Sequence, residues 1–229
     1  MELKINKYID HTNLAPSATH KDIDKLIDEA KKYDFKSVCI APSYIKYAKE
    51  ALKNTDVLVC TVIGFPLGYN ATSVKVYETK IALEHGADEI DMVINVGRFK
   101  DKQYEYVLNE IKAIKEVCGH KVLKVIVETA LLTNDEIAKI TEIVMQSGAD
   151  FIKTSTGFSY RGASFEDVKI MKSVSGDKLL IKASGGIKSY EDALEMIKLG
   201  ANRLGTSKSV IIMEESEGKD VKDSSPSAY

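Results

Sequence analysis

The chain has 229 residues, 44% of them hydrophobic and 29% charged. Such an apolar content excludes a disordered chain, and the length fits one large domain or two small ones. Lysine and arginine number 32 against 34 acidic residues, a formal charge of −2. This balance argues against a nucleic-acid or acidic-membrane surface and leaves room for a local site binding a small anion.

No run of about 18 apolar residues is present, so no spanning helix is expected. The opening Met1-Glu2-Leu3-Lys4-Ile5-Asn6 lacks a signal-peptide core. Cys39, Cys60 and Cys118 are odd in number and far apart. They argue against a disulfide framework and for a reducing, cytoplasmic setting. His11, His20, His85 and His120 form no cluster of zinc-ligand spacing. No metal and no cofactor is expected.

In chain order, eight short apolar runs alternate with longer helical stretches. They begin with Tyr8-Ile9, Ser37 to Ala41, Val57 to Ile63 and Glu89 to Ile94. They continue with Val122 to Val127, Phe151 to Thr154, Leu179 to Ala183 and Arg203 to Gly205. Most are rich in β-branched residues and nearly continuous in apolarity, the pattern of strands buried on both faces.

Thr19, Thr133, Ser164 and Ser189 are candidate helix N-caps, each followed three residues later by an acid: Asp22, Glu136, Asp167 and Asp192. Gly86, Gly119, Gly148 and Gly200 are candidate stops. Gly86-Ala87-Asp88, Gly148-Ala149-Asp150 and Gly200-Ala201-Asn202 form a weak repeat, each between a helix end and a strand. The expected fold is α/β, a single (β/α)8 TIM barrel over residues 1–213 with a short flexible polar tail over 214–229. A doubly wound open sheet is the alternative, but no Gly-x-Gly-x-x-Gly turn follows the first strand.

Three lysines interrupt successive apolar strands: Lys124, Lys153 and Lys182, each 29 residues from the next. One βα unit apart, they are expected at equivalent heights in neighbouring strands. Burial and mutual repulsion both lower a lysine's basicity, and a neutral lysine attacks carbonyl groups to form a Schiff base. Asp91 supplies a carboxylate among them, either as a structural ion pair or as a proton shuttle.

Glycine-bearing turns follow three later strands: Thr154 to Phe158, Ser184-Gly185-Gly186-Ile187-Lys188 and Gly205-Thr206-Ser207. Such turns let backbone N–H groups approach an anion, and barrels place phosphates at the loops after strands seven and eight. With arginine only at Arg98, Arg161 and Arg203, an arginine clamp on the anion is not expected. Cys39 and Cys60 read as inert core residues. His11, in Asp10-His11-Thr12-Asn13, reads as a hydrogen-bonded structural residue at the site's face.

The chain resembles the deoxyribose-phosphate aldolases, a class I, Schiff-base family of lyases. The likeness runs through Asp10-His11-Thr12-Asn13-Leu14, Gly64-Phe65-Pro66-Leu67-Gly68 and Ala87 to Val93. It continues through Leu123 to Glu128, Lys153-Thr154-Ser155-Thr156-Gly157, Lys182-Ala183-Ser184-Gly185-Gly186-Ile187 and Arg203 to Ser207.

The resemblance implies reversible cleavage of 2-deoxyribose 5-phosphate to acetaldehyde and glyceraldehyde 3-phosphate, a step of carbohydrate degradation. Lys153 would form the imine, Lys182 would lower its basicity and assist proton transfer, and Asp91 would shuttle protons through a water. Lys124 would complete the charged cluster. Gly157, Gly185, Gly186, Lys188, Gly205 and Ser207 would hold the phosphate. Lys208 stands where a small residue is the more usual. Tyr229 resembles the terminal tyrosine of long-tailed members and would relay a proton.

The expected partners are small phosphosugar and aldehyde substrates, with neither nucleic acid nor membrane, and a homodimer is the assembly to test. Two rival readings remain at this level: another Schiff-base aldolase or a transaldolase on the same barrel, and a non-catalytic phosphosugar-binding barrel.

Overall fold

In the computed structural model, residues 3–221 are described. Eight strands, all paired in parallel, close into a barrel in chain order. They are β1 (Ile9–Asn13), β2 (Ser37–Ile40), β3 (Leu58–Ile63), β4 (Glu89–Val93), β5 (Val122–Ile126), β6 (Phe151–Lys153), β7 (Leu180–Ser184) and β8 (Arg203–Thr206). Around them run α1 (His20–Tyr33), α2 (Ile45–Ala51), α3 (Thr72–Glu84), α4 (Val96–Lys100) and α5 (Tyr104–Cys118). The ring is completed by α6 (Asn134–Ser147), α7 (Phe165–Ser175), α8 (Tyr190–Lys198) and α9 (Ser209–Ser216). The closed barrel bears out the expected fold and overturns the open-sheet alternative.

Burial explains why the strands form where they do. Val59, Ile63, Ile90, Val125, Ile152 and Ile181 are buried in one core together with helix residues such as Ile23, Ile111 and Ile140. The first strand runs further than its apolar residues suggest, through Asp10, His11, Thr12 and Asn13. Closure gives it two partners, β2 and β8, so pairing holds a polar segment in extended form.

The four expected N-caps all open helices. The backbone N–H groups of Thr19, Thr133, Ser164 and Ser189 donate to Asp22, Glu136, Asp167 and Asp192 at 2.8, 2.8, 3.0 and 3.2 Å. Each reciprocal bond satisfies a donor that the helix leaves free. Gly148 ends α6 at φ 81°, in the left-handed region that glycine enters without a Cβ penalty.

The weak repeat has a common task. Asp88, Asp150 and Asn202 accept, through their side chains, the backbone N–H of Val59, Leu123 and Ile181 at 3.0, 2.8 and 3.0 Å. Their own N–H groups donate back to the same three residues' carbonyls at 2.8, 3.0 and 2.8 Å. Each clamp joins the entry of an even-numbered strand to its odd-numbered neighbour.

Helix α9 passes the expected boundary at residue 213. Its Glu214 and Glu215 accept hydrogen bonds from the Tyr33 hydroxyl at 3.5 Å and the Tyr190 N–H at 2.6 Å. Tyr229 and the second half of the expected tail, residues 222–229, lie outside the described residues. No described helix is long and apolar enough to cross a membrane.

Candidate active site

The catalytic candidates converge inside the barrel on one carboxylate. Asp91 Oδ2 accepts from Lys153 Nζ and Lys182 Nζ, both at 2.8 Å. Asp91 Oδ1 accepts from Lys124 Nζ at 2.9 Å and from the Cys60 thiol at 3.1 Å. Lys182 also pairs with Asp10 at 2.5 Å, and Lys124 with Glu89 at 2.6 Å. Arg203 closes the network on Asp10 at 2.7 Å and on Glu89 at 2.9 Å. Four cations thus meet three carboxylates in a buried cluster.

The charge states follow from this pairing. Burial pushes the Asp91 carboxyl up, but Lys124, Lys153 and Lys182 overcome it and hold it well below the usual carboxylate range. Burial pulls the Lys182 ammonium down, and Asp10 and Asp91 more than reverse it. Lys124 is likewise held up against burial, by Asp91, Cys60, Glu89 and Asp10. Lowered basicity, expected from burial and repulsion, is therefore overturned at Lys124 and Lys182, because each ammonium sits on carboxylates.

The equal spacing of 29 residues does not give equal heights. Lys153 is level with Lys182, whereas Lys124 is level with Phe151 and Asp91. Loop lengths differ from unit to unit, and a closed barrel shifts its register as it goes round.

A cavity of about 300 Å³ opens above this cluster. Lys153 lines it; Lys124, Lys182 and Asp91 lie beneath. Every expected phosphate residue lines it as well: Gly157, Gly185, Gly186, Lys188, Gly205 and Ser207. Gly157 lies in the turn that leads into α7, and the turns that bear the others lead into α8 and α9, whose N-termini favour an anion. At Gly205 the lack of a side chain has a further reason. A Cβ there would collide with Ser184 Oγ and stand 3.1 Å from Lys182 Cε.

Several site residues escaped sequence reasoning. Asp10, Glu89 and Arg203 stand at or near strand starts, where a charged residue carries no signal. Cys60, expected to be inert, touches Asp91 and Lys124 because it pairs in register with Glu89. Arg161 lines the cavity, but its guanidinium is taken up by Asp167 at 2.6 Å and the Thr129 carbonyl at 3.0 Å. Ser184 Oγ is buried without a hydrogen-bond partner, and Ser184 lines the cavity. His11 lies outside the cluster, bonded to Ser209 at 2.9 Å and Glu29 at 2.8 Å.

Among the described residues, two groups offer metal-ligand atoms within 4.8 Å of one another: Cys39, Cys60 and Asp91, and Asp10, Cys60 and Glu89. Their carboxylates already hold lysine or arginine, so a divalent cation would have to displace buried charge. The donor set suits an ionic network better than a metal.

The family model of the DeoC/LacD family aldolases matches residues 4–207. The chain belongs to this family. It is therefore an aldolase, a carbon–carbon lyase, as expected from the sequence. It is 85% identical to the deoxyribose-phosphate aldolase of Metamycoplasma hominis, over 87% of this chain and 92% of that one. Its fold is similar to the solved aldolase QR15, with TM-score 0.91 and 43% identity over 95% of this chain and 97% of that one. It is also similar to the tetrameric deoxyribose phosphate aldolase of Aeropyrum pernix. There the TM-score is 0.87, with 33% identity over 93% of this chain and 91% of that one.

Proposed function

We propose that the chain is a deoxyribose-phosphate aldolase acting through a Lys153 imine. It would reversibly cleave 2-deoxyribose 5-phosphate to acetaldehyde and glyceraldehyde 3-phosphate. One observation carries the choice of nucleophile: of the three lysines on Asp91, only Lys153 lines the cavity.

The Lys153 amine attacks the carbonyl carbon of the open-chain sugar, and loss of water leaves an iminium. The 3-hydroxyl gives up its proton, the C2–C3 bond breaks, and its electron pair flows into the iminium to make an enamine. Glyceraldehyde 3-phosphate departs. Protonation of the enamine carbon and hydrolysis then release acetaldehyde.

The cluster supports this chemistry. The network sets four cations on three carboxylates. Lys153 is the most lightly paired of the three lysines, since it meets one carboxylate oxygen and shares that oxygen with Lys182. Lys182 remains cationic beside it and assists proton transfer, and Lys124 completes the counter-charge. Asp91 rests as an anion. It is proposed to shuttle a proton through a water. Tyr229 is proposed to relay the proton between imine and enamine.

Gly157, Gly185, Gly186, Lys188, Gly205 and Ser207 are proposed to seat the phosphate at the far end of the cavity. The three buried thiols fit a reducing cytoplasm. A homodimer is proposed as the smallest assembly, with the exposed Leu67, Tyr69, Val74 and Tyr77 as the surface a second copy covers.

The test is synthesis. The chain with acetaldehyde and glyceraldehyde 3-phosphate should yield 2-deoxyribose 5-phosphate, and borohydride with acetaldehyde should inactivate it. Inactivation with dihydroxyacetone instead would favour another Schiff-base aldolase; binding without any reducible imine would favour a phosphosugar-binding barrel.

A further inference from the structure

Glu128 lies two residues beyond the end of β5, in a left-handed conformation at φ 54° and ψ 69°. Side chains other than glycine seldom adopt it, so surrounding contacts must hold it there. The residue is 5% exposed. Its Oε2 accepts the Thr156 hydroxyl in a short hydrogen bond, and the Thr156 N–H at 3.3 Å. Its Oε1 is buried with no hydrogen-bond partner.

Thr156 lines the cavity with Lys153 and immediately precedes Gly157. Its hydroxyl has one hydrogen and two lone pairs. The hydrogen is given to Glu128, and one lone pair accepts the Phe158 N–H at 3.0 Å. One lone pair is left, so a group that meets this hydroxyl from the cavity must donate.

Protonation of Glu128 does not reverse that polarity. Burial pushes its carboxyl up, against the pull of the Thr156 bonds. Oε2 is already engaged by the Thr156 N–H, so an added proton goes to the unpartnered Oε1.

The geometry points to Glu128 as a positioning residue that fixes Thr156 as a hydrogen-bond acceptor and so selects acceptor aldehydes with a hydroxyl between carbonyl and phosphate. The inference rests on the aldolase reading above. In glyceraldehyde 3-phosphate the carbonyl and the phosphate dianion only accept, and the 2-hydroxyl is the donor. The carbonyl carbon reacts at the Lys153 end and the phosphate sits at the glycine turns, and Thr156 lines the same cavity, where the 2-hydroxyl is the donor the substrate offers it.

The experiment compares kcat/KM for addition of acetaldehyde to glyceraldehyde 3-phosphate and to 3-oxopropyl phosphate, which lacks the hydroxyl. The unaltered chain should prefer the hydroxylated aldehyde by about tenfold or more. In Thr156→Val, and in Glu128→Leu or the smaller Glu128→Ala, that preference should fall to near one, chiefly through KM for the hydroxylated acceptor. Glu128→Gln should keep it, because the amide oxygen can take both Thr156 donors.

An undiminished preference in folded Glu128→Leu or Glu128→Ala would make Glu128 merely structural and overturn the inference. Should neither of those fold, Thr156→Val decides, and an unchanged preference there overturns it equally. Failure of the aldolase reading looks different: the unaltered chain would form product with neither aldehyde.

Discussion

Lys153 and Lys182 carry the same side chain and differ in what surrounds it. Lys182 bridges Asp10 and Asp91, while Lys153 holds Asp91 alone and meets the cavity. Replacement by leucine should therefore have opposite effects on stability. Lys153→Leu removes the surplus charge, so the thermal midpoint should hold or rise while turnover is lost. Lys182→Leu leaves Asp10 and Asp91 each short of a cation, which costs about 3–5 kcal/mol and lowers turnover severely. Thermal melts and steady-state rates of both variants check the contrast.

Asp10 gives a pH signature. Burial raises its carboxyl, but Arg203, Lys182 and Lys124 win and hold it far below its ordinary value. A carboxyl depressed by folding contributes stability that is present above its unfolded value, about 3.9, and is lost as pH falls through the folded value. The loss on Asp10→Asn should be full at pH 7 and shrink only below about pH 4. Urea titrations from pH 3 to 8 measure it; a penalty that changes between pH 5 and 8 contradicts it.

At this scale the sequence was legible where a charge broke an apolar strand, as at Asp91, Lys124, Lys153 and Lys182. It was silent at Asp10, Glu89 and Arg203, because charges near strand starts are ordinary. It was silent at Thr156 and Glu128 too, since the polarity of a hydroxyl is set by partners 28 residues away.

At the scale of elements, local chemistry was read well. The four N-caps and the glycine stops depend on neighbours within a few residues, and all of them stand where expected. Register was not read, because it depends on closure: lysines of equal spacing lie at unequal heights. The Gly-Ala-Asp repeat was visible, but its clamp on the neighbouring strand needed the barrel. Asp150→Ala should strand the Leu123 N–H and release Lys115, costing about 1–3 kcal/mol. The clamp lies at strand entries, opposite the site, so kcat should stay within about twofold. Chemical denaturation with parallel assays checks both, and a large kcat loss without destabilisation would count against the assignment.

At the scale of the whole molecule, the barrel places a charged floor beneath a glycine-rich mouth that Arg161, Lys188 and Lys208 also line. Lys153 stands where floor and mouth meet, and the mouth is the proposed seat of the anion. For the polar stretch that ends at Tyr229, composition and the family resemblance were the only guides. Deleting Tyr229 should slow hydrogen exchange at the aldehyde α-carbon while thermal stability and imine trapping persist. Unchanged exchange, followed by NMR in deuterated water, would remove Tyr229 from the mechanism.

The choice of Lys153 as nucleophile is tested most directly by borohydride reduction in the presence of acetaldehyde, followed by peptide mass spectrometry. An N-ethyl group on Lys153, absent from Lys124 and Lys182 and abolished in Lys153→Leu, is the predicted result. Modification of Lys182 in the unaltered chain, or full trapping in Lys153→Leu, would contradict it.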